Sequence, residues 1–250
     1  MTRLTDEERF TFDLQGFLVR RGVLSAAELR AVNAEIDAQG YPAPDDTIMG
    51  QRFSGFLGAV SAPTATSLMD HDAVIDVVLE VNGSNARLDH SYGIYMAPGT
   101  QGLWVHGGGN PFDPAQYYEV KQGRIHCGLI GVQWALVDHP IGGGGFCCIP
   151  GSHKANFVRP QTIDYGHPLI TEVPLVAGDV VFFTEAITHG TLAWNQPYER
   201  RSLFFKYSPG NSAYNAGSPI EAERITRLTH RQQALCQVPS VAHHRPVQEA

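Results

Sequence analysis

Long apolar runs are missing from this chain of 250 residues. A membrane-crossing helix needs ~18 consecutive apolar residues, and the best stretch, 128–137, is broken by Gly131 and Gln133. The opening MTRLTDEERF is charged and has no apolar signal region, so a cytoplasmic protein without membrane contact is expected. Positive charge is also scarce, with 18 Lys+Arg against 25 Asp+Glu and a net charge of −7. A nucleic-acid partner, which requires clustered cations, is thereby disfavoured. Cysteine is limited to Cys127, Cys147, Cys148 and Cys236. Their irregular spacing fits neither a disulfide framework nor a zinc site, and small core residues in a reducing compartment are expected. No internal repeat is evident, and no serine or cysteine triad pattern marks a nucleophile.

Apolar residues make up 43% and charged residues 17%, enough to bury a core and too little charge for a disordered chain. Gly (26) and Pro (16) are frequent, so turns are many. Thr5 with Glu8, and Ser25 with Glu28, form capping-box patterns. Leu29, Val32 and Ile36 then share a helix face before Gly40. A short strand is expected between these helices at 16–19, a surface excursion at 41–67 and a further helix over 71–81. From residue 88 the pattern changes to short strands bounded by Gly, Pro, Asp or Asn: 92–96, 103–106, 129–136, 146–149, 180–183 and 203–207. Helices followed by an antiparallel β unit indicate one sandwich or barrel domain over 1–250, with its core at about 10–210. A polar tail after about residue 239 is expected to pack loosely.

Of the eleven histidines, His106 and His189 stand at strand ends beside glycine, where a ring can project into a cavity. Arg200 lies eleven residues after His189, just inside the last strand, and offers a bidentate fork to a carboxylate. The same Glu199-Arg200-Arg201 run also fits a solvated charge cluster.

The order WVHGG, VQWALVDHPIGGGGFCCIPGSHK, AGDVVFFTEAITHG, ERRSLFFKYSP, after the opening LQGFLVRRGVLSAAEL, resembles the phytanoyl-CoA dioxygenase family from about residue 10 to 210. The resemblance implies a double-stranded β-helix (a cupin-like jelly roll, mainly β with flanking helices). It also implies an oxygenase that uses Fe(2+), 2-oxoglutarate and molecular oxygen on a small organic molecule. By position it makes His106 and His189 the metal ligands and Arg200 the partner of the cosubstrate's distal carboxylate. Thr191 becomes a supporting hydroxyl, Trp134 a wall of the cosubstrate pocket and His153 a structural turn residue. Strand alternation leaves Arg201 open as the carboxylate binder, should Leu203, Phe205 and Tyr207 line the interior. A partly polar interior near the metal favours Arg200.

One position departs from the family. Its His-any-Asp motif supplies a third metal ligand, because residues i and i+2 share a strand face. Here that place is Gly108. Four readings follow: a carboxylate from elsewhere (Asp113 or Glu185), a halide as in related halogenases, water with hydroxylation retained, or a non-catalytic metal- or oxoacid-binding barrel. Hydroxylation of a small molecule or secondary metabolite is the leading expectation, and the substrate itself is not legible.

Overall fold

A computed structural model of the chain describes residues 4–44, 49–242 and 246–247. The elements in order are α1 (Asp6–Gln15), β1 (Phe17–Arg20), α2 (Ala26–Ala38), β2 (Gln51–Phe53), α3 (Pro63–Ser67), α4 (Asp72–Asn82), β3 (Arg87–Met96) and β4 (Leu103–His106). There follow β5 (Tyr118–Lys121), β6 (Arg124–Cys127), β7 (Ile130–Ala135), β8 (Gly145–Cys148), β9 (Thr171–Glu172), β10 (Val180–Thr184), β11 (His189–Leu192), β12 (Arg200–Ser208), α5 (Ala222–Ile225) and α6 (His230–Leu235). A six-stranded sheet ordered β1-β10-β7-β12-β3-β2 faces a four-stranded sheet ordered β4-β11-β8-β9, and β5-β6 forms a separate hairpin. All pairings are antiparallel. This is the jelly-roll arrangement, with helices added on the outer face of the larger sheet.

The helix starts follow from local chemistry. Thr5 and Ser25 each accept the amide of a glutamate three residues on, and that glutamate returns the bond to the cap amide. The larger sheet is buried on both faces, so alternation sorts its residues between two apolar cores. On β10, Val180 and Phe182 pack toward the helices, while Val181 and Phe183 face the opposing sheet. On β12, Leu203, Phe205 and Tyr207 join the helix-side core. Phe204 joins the core between the sheets, which places Arg200, Ser202 and Lys206 on that inner face by the two-residue period.

Some expectations are revised. The stretch 41–67 is no surface excursion in its described part. It supplies β2 and α3 and buries Phe53, Phe56, Leu57, Ala62 and Ala65, while 45–48 lie outside the described residues. In the described part of the C-terminal end Val241 is exposed, while Val247 is buried and its amide donates to the Ser84 carbonyl.

The PGSH turn locks onto α1. The Gly151 amide donates to the Gln15 carbonyl at 2.9 Å, and His153 Nε2 lies 3.1 Å from the Asp13 carbonyl. His153 therefore braces a turn, with its ring edge-on to Tyr118 at 4.5 Å. Burial pushes its pKa down to about 4. The unfolded chain, with an ordinary histidine near 6.5, binds the proton first. Stability is therefore expected to be complete above pH ~6.5 and to fall by about 3 kcal/mol as the pH drops toward 4. Denaturant melts at pH 7 and 4.5 check this. An equal loss in a His153→Gln variant would assign the acid sensitivity elsewhere.

Candidate active site

His106 ends β4, His189 opens β11, and the two are direct partners across the ladder. Their rings stand 4.3 Å apart between centroids. His106 Nδ1 lies 3.0 Å from the Trp104 carbonyl and His189 Nδ1 lies 2.8 Å from that of Ile187. Each carbonyl accepts from Nδ1–H, which leaves the Nε2 lone pair free, the tautomer of a metal-bound histidine. Burial pushes His189 down to about 4, so its ring is neutral near pH 7.

A carboxylate stands beside this pair. Glu185, in the bend between β10 and β11, has Oε2 at 3.6 Å from His189 Nε2, and its Oε1 accepts from Lys206. Burial alone would raise the Glu185 pKa, but the charge of Lys206 and the hydrogen bond it donates hold it at about 2. Burial disfavours the Lys206 charge in turn, yet Glu185 outweighs it and raises the lysine pKa. The lysine lies across Gly131, where a Cβ would stand 2.8 Å from Nζ. Among the described residues no group of three His, Cys, Asp or Glu side chains is placed to hold a metal ion. The site is a histidine pair with one adjoining carboxylate.

Gly108 lies in the turn that follows β4. The strand ends at His106, and Gly107 and Gly108 turn the chain with φ of 79° and 111°. A Cβ on Gly108 would meet Thr188 Oγ1 at 3.0 Å. Asp113 is engaged elsewhere, accepting the Ala115 amide at 2.7 Å.

Arg200 is fully buried, with Nε and Nη2 unpartnered and Nη1 directed at Met96 Sδ, a weak acceptor, at 3.1 Å. Burial lowers its pKa to about 10, so it stays charged near pH 7. Arg201 faces outward and pairs with Asp37 at 2.7 Å and Glu199 at 2.6 Å. A Cβ on Gly145 would stand 3.3 Å from His139 Nδ1 and 3.6 Å from Arg200 Nε, so the strand backbone packs close against both side chains. Thr191 lines the same cavity as both histidines.

Trp134 is misplaced by the sequence reading. It belongs to the helix-side core, edge-on to His71 at 5.4 Å. Its neighbour Gln133 takes the inner face, where Nε2 donates to Ser202 Oγ at 3.3 Å. Lys206 and His139 were not legible in the sequence, whereas Glu185 was one of its two candidate carboxylates. For Glu185, the four-residue step to His189 across a Thr-Glu-Ala-Ile bend was the available signal.

The cavity, about 160 Å³, reaches from the histidines and Glu185 to Arg52 and Tyr214 at its mouth. An orphaned buried arginine, two histidines of ligand tautomer and an ionised carboxylate together suit a metal with a dicarboxylate cosubstrate. Among the described residues no helix is long and apolar enough to cross a membrane. HygX from Streptomyces hygroscopicus, in a crystal structure with nickel and 2-oxoglutarate bound, superposes with a TM-score of 0.76 at 23% identity over 98% of this chain and 99% of HygX. SnoK, a non-heme alpha-ketoglutarate-dependent carbocyclase from nogalamycin biosynthesis, gives 0.64 at 21% identity over 97% and 96% of the chains. The epimerase SnoN from the same biosynthesis gives 0.62 at 18% over 86% and 92%. These likenesses are ones of fold. No curated protein sequence matches the chain. The phytanoyl-CoA dioxygenase model matches residues 12–202, and the chain belongs to that family of iron- and 2-oxoglutarate-dependent enzymes.

Proposed function

We propose that the protein is an iron(II)- and 2-oxoglutarate-dependent oxygenase that hydroxylates a small organic molecule. The observation that carries this reading is Arg200, a charged side chain with no exposure and two unpartnered nitrogens, on the inner face of the sheet that faces the histidine pair. An uncompensated buried charge is costly, and a distal carboxylate of the cosubstrate would satisfy it by a bidentate contact.

His106 and His189 would hold the metal through Nε2. Glu185 would supply the carboxylate that Gly108 does not, with Oε2 toward the metal and Oε1 kept on Lys206. Carboxylate ligands are commonly hydrogen-bonded in this way by a second residue. Thr191 and Arg200 would orient the cosubstrate. When bound, iron with 2-oxoglutarate supplies oxidation of an unactivated C–H bond by molecular oxygen, with succinate and carbon dioxide as coproducts. Phe146, Phe183 and Phe204 line the cavity and limit water around the reacting centre.

A second reading follows from Lys206. If the lysine retains Glu185, the two histidines hold iron with water or a halide in the third place, as in a halogenase. A barrel that binds metal and oxoacid without turnover is the remaining alternative. Oxygen uptake and succinate formation with iron(II) and 2-oxoglutarate are expected in the wild type. They should fall at least a hundredfold in His106→Ala and in His189→Ala. Absence of succinate from a wild type that binds both cofactors would establish the non-catalytic reading.

A further inference from the structure

The cavity mouth carries a structure that the metal site does not require. From the interior outward, Phe204 stacks on Tyr92 (5.0 Å, 11°), Tyr92 on His90 (5.9 Å, 14°) and His90 on Tyr214 (6.2 Å, 29°). This ladder is fixed from behind. The buried Asp89 carboxylate accepts from His90 Nδ1 at 2.8 Å and from the Tyr214 and Asn215 amides at 2.8 and 3.0 Å, while also pairing with Arg87. The loop bearing Tyr214 is thus tied to β3, and a column of stacked rings lines the way to the histidines.

Arg52, on β2, lies with its guanidinium 4.6 Å above the Tyr92 ring. Among the described residues it has no acidic partner and no hydrogen-bond acceptor. The other charged groups lining the cavity, Lys206 and Glu185, cancel each other. Arg52 therefore gives the cavity a net positive charge in a chain of net charge −7. A guanidinium held on an aromatic face keeps its N–H edges available to a carboxylate or phosphate. The cavity volume of about 160 Å³ is only several times the ~30 Å³ share of a water molecule. It suits the reacting end of a substrate whose remainder lies along the ladder.

We propose that the substrate is an anionic small molecule, its carboxylate or phosphate bound by Arg52 and its apolar body packed along the Tyr92–His90–Tyr214 column. The proposal takes the site's chemistry from the oxygenase reading and adds the class of substrate.

Calorimetric titration of the wild type with phenyl phosphate, phenylacetate, phenylacetamide and phenethylamine tests it, with and without iron(II) and 2-oxoglutarate. The two anions are expected to bind at least tenfold more tightly than the neutral amide, with the amine weakest. The preference should weaken as salt is raised. It should disappear in Arg52→Gln and persist in Arg200→Met. Equal binding of all four probes, no binding by any at millimolar concentration, or a preference that survives Arg52→Gln would each overturn the proposal. Loss of the preference in Arg200→Met alone would also overturn it, by placing the anion in the cosubstrate pocket. Because binding is read without turnover, an enzyme that forms no succinate defeats the oxygenase reading and leaves this result interpretable.

Discussion

An Arg200→Met variant is expected to melt higher than the wild type in the absence of cosubstrate and to lose its response to 2-oxoglutarate. In the free protein the guanidinium is fully buried and makes one weak contact, to Met96 Sδ. Replacing buried charge with a well-packed apolar side chain commonly stabilises by ~1–4 kcal/mol. In a chain of this size each kcal/mol moves Tm by about 2–4 °C. The same replacement removes a buried charge-assisted contact from the complex, a loss of ~2–5 kcal/mol, or roughly a 30- to 5,000-fold weaker Kd. Scanning calorimetry with and without 2-oxoglutarate reads both effects. A variant that melts lower and still responds to the cosubstrate would show that Arg200 is a structural residue. Arg201→Met, by contrast, should leave the cosubstrate response intact, because Arg201 lies on the outer face with Asp37 and Glu199.

The choice between these two arginines shows what the sequence could and could not reveal. Alternation along β12 correctly divides Arg200, Ser202, Phe204 and Lys206 from Arg201, Leu203, Phe205 and Tyr207. It does not say which set faces inward, because both faces of this sheet are covered. Period-two patterning identifies an interior only when one face meets water. Trp134, which the family resemblance puts in the cosubstrate pocket, lies in the helix-side core, while Gln133, one place earlier, occupies the inner face. Features set by neighbouring residues were legible. Both capping boxes and the termini of β4 follow from contacts within a turn or from glycine placement, whereas the bracing contact of His153 reaches Asp13 on α1 and was implied only by the family resemblance. The Glu185–Lys206 pair was hidden because it joins a bend to a strand 21 residues later. The turn at Gly107-Gly108 was likewise hidden, because β4 stops at His106 and both glycines take positive φ.

That geometry fixes what Gly108→Asp should do. The residue has φ of 111°, a conformation L side chains rarely adopt, and its Cβ would press on Thr188 Oγ1 at 3.0 Å. The aspartate is therefore expected to cost ~1–3 kcal/mol in stability and to leave metal affinity unimproved. Glu185→Gln should act in the opposite sense. The amide oxygen can still accept from Lys206, so the fold is retained, but the anionic donor beside His189 is lost. Iron(II) affinity, followed anaerobically through the charge-transfer absorption with 2-oxoglutarate, is expected to fall more than the ~10–100-fold typical of outer-shell changes. Asp113→Asn should bind as the wild type does, since that carboxylate caps the Ala115 amide away from the histidines. Chloride should not perturb the absorption of the wild type if Glu185 fills the third place. A chloride-dependent shift that Gly108→Asp abolishes, together with unchanged iron affinity in Glu185→Gln, would instead establish the halide reading. In that case Lys206 holds Glu185 away from the metal and the two histidines bind it with an anion from solution.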